Sequence, residues 1–308
     1  MKKLLFVTCL SMLAATSPAQ NVPFEGEIVY ETYENYSDYI KKMANSIYFD
    51  GVHKIRLILK GDKMHMIDET TQCHVIATAD NASQTESNSN ARGRAKNAKE
   101  QGGASYVHFC DLTKTGMDFG KNIDMMRVLK NGDLVYPNGG GTAKLTTNTF
   151  AKTETKKNIL ENECTLYEGR MIRKMGGMDQ TYDLKTYVSS SLTAPAGYSW
   201  NLYGLDIPGI ALKWIQKYDG GHVSVMNVGE LSYYIEADVV EVKPRTVGDD
   251  EFTIPADYKI STGAKNAFAL MKYYSGVRKQ LEKLGIKGGD KSQKQTGVHY
   301  KTNDEWDF

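Results

Sequence analysis

Cysteine is scarce in this 308-residue chain: Cys9 lies in an early apolar run, and only Cys73, Cys110 and Cys164 follow it. Three thiols permit at most one intramolecular disulfide, which excludes a disulfide-dense scaffold and leaves one cysteine over. An excess of one charge is also missing, since 38 Lys and Arg face 37 Asp and Glu. A near-neutral chain offers no electrostatic footprint for nucleic acid. Beyond the first nineteen residues no apolar run approaches the roughly 20 residues that a membrane-spanning helix needs. Phe and Trp are few, at 9 and 3, against 19 Tyr. An apolar ring with a polar tip suits the half-buried faces of strands.

The chain opens with Lys2 and Lys3, continues through the apolar run Leu4 to Ala15 and reaches Ser17-Pro18-Ala19, with small residues at the third-last and last positions. That layout predicts a secretory leader over 1–19, cleavage after Ala19 and a mature chain from Gln20 in the periplasm or outside the cell. A lipoprotein leader needs its cysteine at the end of the apolar run, and Cys9, behind Phe6-Val7-Thr8, sits inside it.

Residues 20–263 read with period two. In Lys54 to Lys60 the alternation turns Ile55, Leu57 and Leu59 inward, and Gly61-Asp62 then marks a tight hairpin before Lys63 to Ile67, which carries Met64 and Met66. Further strands are predicted at Glu27–Thr32, Gln72–Ala79, Ala104–Leu112, Ala143–Phe150, Glu163–Met171, Tyr182–Ser189, Ile210–Lys217, His222–Val228 and Ser232–Lys243. So many strands with few helical stretches between them argue a mainly β, antiparallel architecture. The polar stretch 80–103, with Ser87-Asn88-Ser89-Asn90 and Arg92-Gly93-Arg94, is expected to be a disordered hairpin loop. Over 264–285 apolar residues Ala267, Leu270, Met271, Tyr274, Val277, Leu281 and Leu284 recur at steps of three and four before Gly285, an amphipathic helix with its stop. Residues 286–308 lack periodicity and are expected to form a flexible tail.

No catalytic motif is intact. Gly197-Tyr198-Ser199-Trp200-Asn201 lacks the second glycine of a nucleophile elbow, and Gly285 to Ser292 places Asp290 where a phosphate loop needs glycine. Asp249-Asp250-Glu251 lacks the spaced oxygen ligands of a calcium loop and reads as a solvated turn. The methionines read as adaptable packing. Cys73-His74 and His108-Xaa-Cys110 flank the polar loop. In a hairpin, opposed residues share a constant index sum; the loop ends at 80 and 104 give 184, and Cys73 with Cys110 gives 183. The two are expected to be cross-strand neighbours and disulfide candidates, with a Cys/His zinc site as the alternative.

The segments Phe24 to Tyr30, Ile55 to Met66, Asn158 to Tyr167 and Phe252 to Lys259 resemble those of a family of exported Gram-negative envelope proteins, similar in turn to the LolA-like lipoprotein carriers. This resemblance implies a strongly curved antiparallel sheet, an incomplete barrel whose concave apolar face is partly closed by helix. Such a fold suits an acyl chain or a lipidated peptide, and with no intact catalytic motif the reading is a non-enzymatic protein, without cofactor or metal, that binds a hydrophobic ligand or a lipoprotein. Ile55, Leu57, Leu59, Met64 and Met66 are the candidate lining. The alternative is a structural or adhesive envelope protein acting through protein contacts.

Overall fold

A computed structural model describes residues 22–37, 50–79, 104–120, 127–128, 131–136, 141–195, 207, 209–222, 230–262 and 267–286. The leader 1–19, the loop 80–103, the segment 197–201 and the tail from residue 287 lie outside these residues.

The alternation read in the first half of the chain becomes an antiparallel meander: β1 (Gly26–Tyr36), β2 (Gly51–Lys60), β3 (Lys63–Asp68), β4 (Cys73–Ala79), β5 (Ala104–Cys110) and β6 (Thr115–Gly120). Gly61-Asp62 joins β2 to β3 with Lys60 opposite Lys63. The second half supplies β7 (Arg127–Val128), β8 (Leu134–Tyr136), β9 (Gly141–Asn148), β10 (Ala151–Ile159), β11 (Asn162–Met175), β12 (Met178–Ser189), β13 (Ile210–His222), β14 (Glu230–Pro244), β15 (Lys259–Thr262) and the helix α1 (Ala267–Lys283). All 15 described strands form one open sheet, in the order β15-β6-β5-β4-β3-β2-β1-β14-β13-β12-β11-β9-β8-β7, with β10 also paired to β11. The β1–β14 pairing, from Gly26 opposite Pro244 to Tyr36 opposite Tyr233, joins the two halves.

The sheet curls around one apolar cluster. Ile28, Tyr30, Ile55, Leu57 and Leu59 from β1 and β2 belong to the same contiguous core as Cys164 of β11, Ile210 and Leu212 of β13 and Val239 of β14. Strands far apart in the sheet order share a core only if the sheet is strongly bent. Register shifts at Val29/Tyr30 in β1 and Tyr187/Val188 in β12 mark irregularities of the kind that accentuate twist. Phe24, Leu192 and Ala194 pack on this cluster from outside the sheet, tied together where the Phe24 amide donates to the Thr193 carbonyl at 2.8 Å.

Several expectations are corrected. The predicted break before His222 is absent: β13 runs through Gly220-Gly221 with a register shift between Asp219 and His222. The β11–β12 hairpin extends beyond the predicted ends because Gly176 and Gly177 both hold positive φ, 58° and 87°, which a two-residue hairpin turn requires and glycine supplies without steric cost. Strand β10 is missing from the sequence reading because Lys152, Thr153, Glu154, Thr155, Lys156 and Lys157 show no apolar alternation; it is an exposed edge strand guarded by lysines. The sheet is not wholly antiparallel, since β15 pairs with β6 in parallel, Lys259 opposite Thr115.

That parallel pairing demands a crossover. From the end of β14 the chain 245–258 crosses the outer face of β1 to β5 as a strap and delivers β15 to the far edge. The strap is fastened by ion pairs from Arg245 to Glu27 and Glu251, by Lys60 donating to the Val247 carbonyl at 2.8 Å, and by Lys60 and Lys63 pairing with Asp249 at 3.2 and 3.0 Å. Asp249-Asp250-Glu251, read as a solvated turn, is therefore a 3-10 turn (Asp249–Phe252) in which two of the acids anchor the strap.

Candidate ligand-binding face

Registers across β1 to β6 place the predicted lining residues in rows on one face. Ile28, Leu57, Met66, Val75, His108 and Met117 are successive cross-strand partners, and so are Gly26, Leu59, Met64, Ala77 and Tyr106. A third row runs Tyr30, Ile55, Asp68, Cys73, Cys110 and Thr115. All five predicted residues, Ile55, Leu57, Leu59, Met64 and Met66, thus share the inner face. Leu57 and Leu59 are wholly buried in the core cluster, whereas Met64 and Met66 are partly buried and pack against it.

The face changes character along the strands. Beyond the third row stand Thr32 and His53, cross-strand partners and both buried, then Glu34. His53 Nδ1 lies 3.3 Å from Asp68 Oδ2, and Tyr36 donates its hydroxyl to Glu34 Oε2 at 2.6 Å. Burial pushes the Glu34 carboxyl above its usual range, against the pull of His53. Burial acts the same way on Asp68, but the hydrogen bonds from His53 and Thr71 outweigh it and hold Asp68 below its usual range. The apolar rows of this face thus end in a polar, titratable group.

The same end of the sheet carries a row that the composition hinted at. Tyr36, Tyr233, Tyr218 and Tyr182 are successive register partners on β1, β14, β13 and β12, with ring centroids 5.9, 4.9 and 4.8 Å apart. Of the four, Tyr218 and Tyr233 are half-buried as the tyrosine excess suggested and Tyr36 and Tyr182 are buried; only register assembles them into a line.

Helix α1 lies on the inner face over β4 and β5, where Val277 and Leu281 are buried against Cys73 and Cys110 and Tyr273 packs beside them. Its stop is as read: Gly285, at φ 73°, lets the Ile286 amide donate to the Leu281 carbonyl and the Gly285 amide to that of Glu282, a Schellman cap. Ile286, placed in the tail by the sequence, packs with this cluster, and Leu284, placed on the apolar face, is exposed. Tyr274 hydrogen-bonds His108 Nδ1, and burial lowers the His108 pKa to about 4.

On the outer face a histidine chain docks the strap. His65 Nδ1 donates to the Glu251 carbonyl at 2.7 Å, its Nε2 lies 2.9 Å from His74 Nδ1, and His74 Nε2 lies 3.1 Å from Asp111 Oδ1. Phe109 stacks on His74 at 4.5 Å, and Tyr258 of the strap donates to Asp111. The sequence named His74 only as a possible zinc ligand, and the chain was not found from it, because histidines at positions 65 and 74 carry no periodic signal.

The index-sum expectation for the cysteines is met in register: Cys73 stands opposite Cys110. Both are buried thiols here, as is Cys164, so the disulfide expected from sequence is not formed in this structure. Among the described residues no group of three or more His, Cys, Asp or Glu side chains is placed to hold a metal ion, so the zinc alternative gains no ligand set. No described helix is long and apolar enough to cross a membrane. Compared with known proteins, the chain matches no protein-family model and no curated protein.

Proposed function

We propose that this protein is exported to the cell envelope and binds a hydrophobic ligand, an acyl chain or the lipidated end of a lipoprotein, on the inner face of its curved sheet, without catalysis. The observation that carries the reading is the pair Met64 and Met66: adaptable apolar side chains, incompletely buried, on the same face as the sealed Leu57 and Leu59. The polar group of Glu34, His53 and Asp68 farther along that face matches an amphiphile's head, and each acyl methylene withdrawn from water contributes about 0.8 kcal/mol. Resemblance to exported envelope proteins similar to the LolA-like carriers supports the same assignment.

Mass spectrometry of lipids retained through native purification, together with Met66→Asp, tests the proposal. The partly buried site should accept the carboxylate, so circular dichroism should persist while binding of a fluorescent fatty-acid probe is lost. A parent protein that neither retains lipid nor binds the probe would establish the competing reading, a structural or adhesive envelope protein. The complete burial of Leu57 and Leu59 favours that alternative, because a face filled by its own side chains has less room for a guest.

A further inference from the structure

The Cys73–Cys110 pair carries an inference beyond ligand binding. The Asp111 amide donates to the Gln72 carbonyl at 2.9 Å, so 72 and 111 are a hydrogen-bonded pair of the β4–β5 ladder. By the alternation of an antiparallel ladder, the next pair, Cys73 and Cys110, is non-hydrogen-bonded, with Cα atoms about 4.5 Å apart and side chains at their closest. That separation falls within the span a disulfide bridges. Both sulfurs converge on one acceptor, the Thr71 carbonyl, at 3.7 Å from Cys73 Sγ and 3.8 Å from Cys110 Sγ. Cys164 lies in the separate core cluster of β11 and β13.

We propose that Cys73 and Cys110 are a reactive dithiol that closes to a cross-strand disulfide by exchange with an external disulfide, and that helix α1 seals the closed bond. Either sulfur, as its thiolate, attacks one sulfur of the external disulfide and forms a mixed disulfide, expelling the other external sulfur as a thiolate. The remaining cysteine then gives up its proton, attacks the protein sulfur of the mixed disulfide and expels the second external sulfur. Two protein thiols are oxidised, one external disulfide is reduced to two thiols, and no other oxidant enters.

Access fixes the order of events. Cys110 is wholly buried, Cys73 nearly so, and Val277, Leu281 and Tyr273 of α1 pack on them. The cavity lined by Cys73, His108, Tyr273, Tyr274 and Val277 has a volume of about 10 Å³, room for at most a water molecule and none for an exchange partner. Exchange therefore precedes the docking of α1 or requires its release, and the helix protects whichever redox state it covers.

The full chain, refolded in a buffer of reduced and oxidised glutathione, then denatured and alkylated without reductant, should yield the 73–110 linked peptide two hydrogens lighter than its reduced parts, with Cys164 alkylated. Alkylation of all three cysteines, or a linkage through Cys164, would overturn the proposal. In the folded, reduced chain, glutathione disulfide should react at least tenfold more slowly than in Leu281→Ala, in which the helix is loosened; Val277→Ala serves the same purpose should the first variant fold poorly. Equal rates in parent and variants would refute the helix as the seal. The oxidised chain should melt roughly 5 °C or more above the reduced one.

Discussion

At the scale of single residues, the clearest consequence concerns His65 and His108. Burial, the largest influence on both, lowers each pKa from 6.5 to about 4; at His65 the neighbouring His74 adds to the depression while Glu251 and Asp111 oppose it. Between those values the unfolded chain binds a proton that the folded chain refuses, so stability rises with pH in this window and falls as pH drops from 6.5 towards 4. Each histidine contributes up to about 3 kcal/mol of this loss. The carboxylates held low, Asp68, Glu69 and Glu251, add their share only below their ordinary values near 4. Urea unfolding followed between pH 7 and 5 should show the decline, and His65→Gln with His108→Gln should make it shallower, leaving the share of His74, whose pKa burial also lowers. An unchanged slope in the double variant would assign the acid sensitivity elsewhere.

Among the elements, α1 makes the sharpest case. Its interior anchor is Leu281, fully buried against the cysteine pair, and its terminus is the left-handed Gly285. Truncation of Leu281 to alanine should cost about 2–5 kcal/mol of docking free energy. Gly285→Val strains a positive φ and should cost about 1–2 kcal/mol while leaving the sheet intact. Hydrogen exchange over Lys272 to Leu284 reads both: deprotection confined to the helix is expected, and loss of protection in β1 and β14 as well would mean that the helix is integral to the whole sheet. The helix was legible as an element because its period of three to four is local. Which of its apolar residues would be buried was less so: Val277 and Leu281 are buried against Cys73 and Cys110, and Leu284 is not.

For the molecule as a whole, the strap 245–258 and β15 are the feature that ties the middle of the sheet, at β14, to its β6 edge. Without them β6 would expose an unpaired edge, and Glu27, His65 and Asp111 would lose partners in Arg245, the Glu251 carbonyl and Tyr258. A chain ending after Pro244, which loses α1 as well, should therefore self-associate, through the bare β6 edge and the uncovered apolar face of β4 and β5. Size-exclusion chromatography of the truncated protein tests this; a monodisperse monomer would show that the strap only decorates a sheet complete without it. Arg245→Met, which removes the pairing to Glu27 and Glu251 but keeps the backbone crossing, should leave the oligomeric state unchanged.

What the sequence determined by itself is what short-range periodicity can encode. The alternation of Ile55, Leu57 and Leu59, the Gly61-Asp62 turn and the constant index sum across 73–110 were enough to place five residues on one face and two cysteines opposite each other. These features depend only on neighbours in the chain, where pleat and turn geometry leave few alternatives. Tertiary structure decided the rest. Strand β10 has no apolar signal because an edge strand needs none, and β15 is held by a parallel partner that its four residues do not announce. Pairing of β1 with β14 across some two hundred residues sets which tyrosines line up and which leucines are sealed. The burial that depresses His65 and His108 likewise exists only once strap and helix are in place, since a side chain's pKa reports the groups packed around it rather than those beside it in sequence.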